Sequence, residues 1–209
     1  MPTTPPKTPE PQKPLDWNAF KEFVEEFKNE SDRAAVILGA AKLDALLGQI
    51  LDRFLLPCTS STDELLEGDS PLATFSARIN ICHRLGLISP QFAKSLHLVR
   101  RIRNGFAHEL AGCSLNSGSH SDRLKSLLAP LRPLPFYRRF HDRFFDKMTP
   151  STEFKACLAM MAARLETRAS ATTQVLAEKV WNFPQSSWAD PSTGTVSAPS
   201  TEPGSAAET

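Results

Sequence analysis

Residues 90–110, PQFAKSLHLVRRIRNGFAHEL from Pro90 to Leu110, decide how this chain folds. At about 100° per residue on a helix, Phe92, Leu96, Leu98, Val99, Ile102, Phe106, Ala107 and Leu110 gather on one arc of about half the circumference. Arg103 falls within that arc, whereas Lys94, His97, Arg100, Arg101, Asn104 and His108 lie opposite. The spacing therefore predicts an amphipathic helix that takes an arginine in with its apolar side. A guanidinium keeps its proton, so burying it without a carboxylate or carbonyl partner is costly.

The stretch that can supply that partner is residues 31–55, SDRAAVILGAAKLDALLGQILDRFL from Ser31. Its apolar positions cover more than half the wheel, the pattern of a central helix. Asp44 lies inside the apolar arc, and Asp32 does too if the helix already runs there. The sequence thus predicts an ion pair between Arg103 and Asp44, with Asp32 as the second choice.

Working outward, Asp16 to Asn29 has an N-cap candidate and places Trp17, Phe20, Val24 and Phe27 at helical spacing. Pro57 stops the central helix. Pro71 is expected in the first turn of a helix carrying Leu72, Phe75, Ile79, Cys82 and Leu85, which Gly86 ends. Ser89 then caps the pivotal helix, with Pro90 at its first position. A short helix is expected over 122–131 and another over 136–147. A long one starts at Thr149 or Ser151 and runs toward Val180. No run of alternating apolar residues asks for a strand. The expected fold is a single all-α domain of about five to seven helices over residues 16–181. Residues 1–15 hold six prolines and are expected to be a disordered arm, and the polar residues 182–209 a disordered tail.

The net charge of the 209 residues is +1, so bulk charge selects no partner, but its distribution is uneven. Asp16 to Asp69 holds 12 acidic and 5 basic residues, Ser70 to Phe145 holds 3 acidic and 12 basic, and no acid occurs between Ser70 and His108. Such polarity suits an anionic partner such as RNA. Complementary packing within one domain, or between two copies, is the preferred reading. The cysteines 58, 82, 113 and 157 have no C-x-x-C spacing and read as reduced thiols of a cytoplasmic protein. The N-terminus lacks the apolar core of a signal peptide, and charges interrupt every apolar stretch, so no membrane span is expected.

Four runs carry a likeness to a known family: Ser31-Asp-Arg-Ala-Ala-Val-Ile-Leu-Gly-Ala-Ala-Lys-Leu-Asp44, Pro71-Leu-Ala-Thr-Phe-Ser-Ala-Arg-Ile79, Leu85-Gly-Leu-Ile-Ser89 and Ile102-Arg-Asn-Gly-Phe-Ala-His108. In order and spacing, residues 16–165 resemble the mannitol operon repressor family (MtlR or MltR). The resemblance implies an α-helical transcriptional repressor without an obvious DNA-binding domain, acting through another protein. The last run also resembles the R-x4-H signature of the HEPN superfamily. That likeness implies Arg103 and His108, with Asn104 beside them, as a ribonuclease pair working between two protomers.

Metal-independent RNA cleavage needs a general base and a cation for the phosphorane, roles histidine and arginine can fill. On an unbroken helix, however, five residues set Arg103 and His108 about 140° apart. A kink or helix end at Gly105 would bring them together; otherwise Arg103 is structural. The structural role is preferred.

Two further motifs have plainer explanations. Ile81 to Phe92 has the outline of a helix-turn-helix, but the apolar arc of its second helix argues against reading DNA. Phe136 to Phe145 interleaves aromatics with bases, as single-strand binders do; Phe136, Phe140 and Phe144 recur every four residues, so core packing is expected. The five histidines have no metal-ligand spacing, and neither a metal nor a cofactor is expected. The expectation is therefore a non-enzymatic, homodimeric repressor whose partner surface includes Arg100, Arg101, Asn104 and His108, with a HEPN-like ribonuclease as the alternative.

Overall fold

Side-chain oxygens of serine, threonine or aspartate cap the starts of five helices. Asp16 accepts from the amides of Asn18 and Ala19 to open α1 (Trp17–Lys28), and Ser31 accepts from Ala34 to open α2 (Asp32–Phe54). Thr74 opens α3 (Phe75–Arg84), and Ser89, with Pro90 in the first turn, opens α4 (Pro90–His108). A reciprocal box between Thr149 and Thr152 opens α7 (Pro150–Ala171). Each cap satisfies amides that a first turn leaves without a partner. Two shorter helices lie between, α5 (Gly118–Leu128) and α6 (Pro135–Phe144), neither with a side-chain cap bond.

This computed structural model describes residues 16–58, 61–109 and 113–175, and among them the fold is a single all-α domain of seven helices. The arm expected at 1–15 and the tail expected at 182–209 lie outside the described residues.

α2 is the centre, with nine buried residues from Ala35 to Leu51. It lies beside α7 in the same direction: Asp32 accepts a hydrogen bond from Ser151 at one end, and Arg53 donates to the Ala169 carbonyl (2.7 Å) at the other. Gly39 lets the two helices approach, since a Cβ there would stand 2.4 Å from Leu158 Cδ1. α4 runs antiparallel to α2. Its C-terminal carbonyls at Phe106 and Glu109 accept from Arg33 in the first turn of α2, a cation at a helix C-terminus. By length and composition α2 could cross a membrane, contrary to the sequence expectation, yet half of it is buried among the other helices.

Helix boundaries depart from expectation where side chains outvote periodicity. α3 starts at Phe75 rather than around Pro71, because Thr74 caps Ala77 and Arg78 Nε donates to the Leu72 carbonyl (2.9 Å), holding 71–73 as a turn. Its end follows the sequence. Gly86 takes φ +72°, Leu87 N–H donates to the Cys82 carbonyl and Gly86 N–H to His83, the paired bonds of a glycine-terminated helix. In α6 the buried face is Tyr137, Phe140, His141 and Phe144, while Phe136 is exposed. The aromatic run is thus mainly core.

Candidate functional site

The polar cleft formed by α2, the start of α3 and the middle of α4 gathers most of the residues singled out in the sequence. Asp44, Thr74, Ser76, Arg100, Arg103 and Asn104 line it, around a volume of about 320 Å³. Their pairing differs from expectation. Arg103 is exposed and its Nη1 donates to Asn104 Oδ1 (3.2 Å). Asp44 instead accepts from Arg78 Nη1 (3.1 Å), and Asp32 accepts from Ser151. The expected Arg103–Asp44 pair is therefore replaced by Arg78–Asp44.

Of α4 only Ala93, Leu96, Val99, Ile102 and Phe106 are buried; Leu98 and Phe92 are half-buried and Ala107 is exposed. On the wheel Arg103 falls between Leu96 and Val99, within this stripe. It is exposed all the same, because there α4 borders the open cleft rather than packed side chains. The same wheel applied to α3 marks Arg78, one turn from Phe75 and from Cys82 and beside Ile79.

Arg78 also donates to the carbonyls of Leu72 (2.9 Å) and Leu66 (3.2 Å), fastening the 61–74 connection to α2. Burial raises the Asp44 carboxyl above its ordinary value, more than Arg78 and then Arg103 lower it. A carboxyl raised in the folded state gives stability at low pH that is lost as pH rises through its folded pKa. The ion pair thus offsets a desolvation cost rather than adding much at neutral pH. Arg78→Ala should cost about 2 kcal/mol, from three lost charge-assisted bonds of a partly exposed group. Urea unfolding measures it, and the Asp44 titration should move further upward in the variant.

On α3 and α4, Arg84, Lys94, Arg100, Arg101 and Arg103 make no ion pair among the described residues. Arg100 Nε is buried and makes no hydrogen bond. His97, bonded to Asn80 Oδ1 at 3.0 Å, is held below the ordinary imidazole range by burial first, then by Arg100 and Arg101. The sign follows: a histidine lowered in the folded state contributes stability above its unfolded pKa, and loses it as pH falls from there to the folded value. In an NMR titration the His97 ring should protonate below the ordinary range, and its midpoint should rise in an Arg100→Ala/Arg101→Ala variant.

His108 is exposed and does not line the cleft, because α4 continues through Gly105 to His108 without a break. Gly105 serves another purpose. A Cβ there would meet His120 Cε1 at 2.1 Å, so the glycine makes room for a buried imidazole from α5.

Several functional or structural polar groups were not foreseen. Buried Glu153 accepts from Arg132 at 2.9 and 2.8 Å, and buried Lys155 donates to the Lys28 carbonyl at 3.1 Å, at the end of α1. Both lie in α7, where a continuous buried face hides them from a periodicity argument. Glu109, Cys113 and His120 bring their donor atoms within 4.8 Å of one another, the residues here that could hold a metal. Glu109 and Cys113 are four apart, a signal the histidine-centred search passed over. An apolar groove of about 370 Å³ is lined by Trp17, Leu134, Phe136 and Met160, and the first three of these are exposed.

The seven helices and their order define a domain of the MtlR-like all-α fold. A chain of the X-ray structure of the MtlR–HPr complex from Escherichia coli superposes with a TM-score of 0.50 at 18% identity, over 73% of this chain and 99% of that one. No protein-family model and no curated protein matches the sequence.

Proposed function

We propose that this chain is a regulator of the mannitol-repressor type that works by binding another protein rather than by catalysis. The observation that carries the reading is the superposition over 99% of a chain from the MtlR–HPr complex. The four sequence runs that resemble the family support it independently. In that complex the neighbour is held with HPr, and we take HPr of the same cell as the partner to test first. The surface we assign to the contact is the polar face of α4, with Arg100, Arg101, Asn104 and His108. Its cations are free of ion pairs among the described residues, so an acidic protein surface can meet them at little desolvation cost.

The ribonuclease alternative has less support. Arg103 and Asn104 line the cleft, but His108 stands outside it on an unbroken helix.

The test is a calorimetric titration of the chain with HPr. Binding should weaken at least tenfold, about 1.4 kcal/mol, in an Arg100→Glu/Arg101→Glu variant. It should also fall with added salt. Unchanged affinity in the variant would remove the assigned surface. Cleavage of RNA that disappears in His108→Ala would favour the ribonuclease reading instead.

A further inference from the structure

We propose that Glu109, Cys113 and His120 form a zinc-type divalent metal site joining the end of α4 to the start of α5, with water in the fourth position. The proposal goes beyond the regulatory reading and does not depend on it. It also departs from the sequence expectation that no metal is bound.

The donor set is oxygen, sulfur and nitrogen, which suits a borderline-soft ion of the zinc class better than magnesium or calcium. The spacing fits as well. Glu109 Oε2 lies 3.1 Å from Cys113 Sγ, and Glu109 Oε1 lies 3.5 Å from His120 Nε2, with all three donors within 4.8 Å of one another. Zinc bonds of about 2.0–2.3 Å place tetrahedral neighbours about 3.3–3.7 Å apart. Three side chains can therefore close on one ion with adjustments of about 1 Å.

His120 is the independent observation. It is 6% exposed, and neither ring nitrogen makes a well-formed hydrogen bond; Nε2 faces only the Glu109 carboxylate, at 3.5 Å. Burying an imidazole without a partner is a cost that native folds seldom leave standing. A metal bond to Nε2 removes that cost at one of the two nitrogens. The fold goes to some length to put the ring there. Gly105 vacates the space beside Cε1, and Phe106 packs edge-on against the ring with centroids 5.0 Å apart. Arg33 fixes the backbone of the carboxylate ligand by donating to the Glu109 carbonyl (2.7 Å).

The charges around the site allow an ion to enter. The Cys113 thiol donates to the Glu109 carboxylate (3.1 Å), so the two side chains already point at one another. On coordination the Cys113 thiol loses its proton to solvent, the carboxylate is already ionised and the imidazole binds neutral, so a site of charge −2 receives a +2 ion.

The test uses the full chain and the metal alone. Co²⁺, which reports thiolate ligation and tetrahedral geometry by its absorption, should bind at one equivalent with a thiolate-to-cobalt band, and Zn²⁺ should displace it. Cys113→Ser, at a half-buried position, should abolish the band. Glu109→Gln and His120→Gln should each weaken binding at least tenfold. Zinc at about a hundredfold its Kd should raise the thermal midpoint of the wild-type chain by about 5–10 °C. It should leave that of Cys113→Ser unmoved. The absence of a thiolate band overturns the proposal, as does a band retained in Cys113→Ser, which would place the ion on another thiol such as exposed Cys58.

Discussion

Phe106→Ala is expected to lower the unfolding free energy by about 3–5 kcal/mol, the cost of deleting a fully buried aromatic side chain. Phe106 is 1% exposed, on the stripe of α4 that faces the core, and its ring packs against His120. Removing it leaves a void beside an imidazole that already lacks well-formed hydrogen bonds. The neighbouring motif residue supplies the control. His108→Ala, at an exposed helix end, should change stability by no more than about 0.5 kcal/mol. Chemical unfolding of the two variants reads the difference. Equal stabilities would mean that the Asn-Gly-Phe-Ala-His run is not anchored in the core.

Gly39→Leu should cost about 3 kcal/mol, and Gly39→Ala about 1 kcal/mol. A Cβ at position 39 stands 2.4 Å from Leu158 Cδ1 and 3.1 Å from Phe27 Cζ, and Leu158 is itself 1% exposed. A single methyl asks Leu158 to change rotamer within a packed interface. A whole isobutyl group asks α2 and α7 to separate, at the upper end of overpacking costs. Replacing a helical glycine returns only about 1 kcal/mol of helix propensity. Thermal or urea unfolding of the pair of variants measures both. A Gly39→Leu protein as stable as the wild type would show that α2 and α7 are not in close contact.

Those two positions also explain how much of the structure could be read beforehand. Caps, glycine stops and strong periodicity act within a few residues, and so the helix inventory, the Ser89–Pro90 start and the Gly86 end were all legible. The run containing Gly39 resembles a known family, but no local rule says that Leu158 lies opposite it, more than a hundred positions away.

The candidate site was legible as a set of residues and misread as a set of pairs. Asp44, Arg103 and Asn104 do line one cleft. Which cation meets Asp44 depends on which helix packs beside it, and Arg78 of α3 takes the place expected for Arg103 of α4. Gly105 shows the same limit. As a sequence it suggests a kink, whereas in the fold it is the space His120 occupies. Tertiary neighbours supply the reason in each case, and they lie beyond the reach of a helical wheel.

If the partner is met on the polar face of α4, the amide chemical shifts of the labelled chain should change as HPr is added, and the changes should centre on Arg100, Arg101, Asn104 and His108. Changes confined to the apolar groove at Trp17, Leu134 and Phe136, or none at saturating HPr, would contradict it.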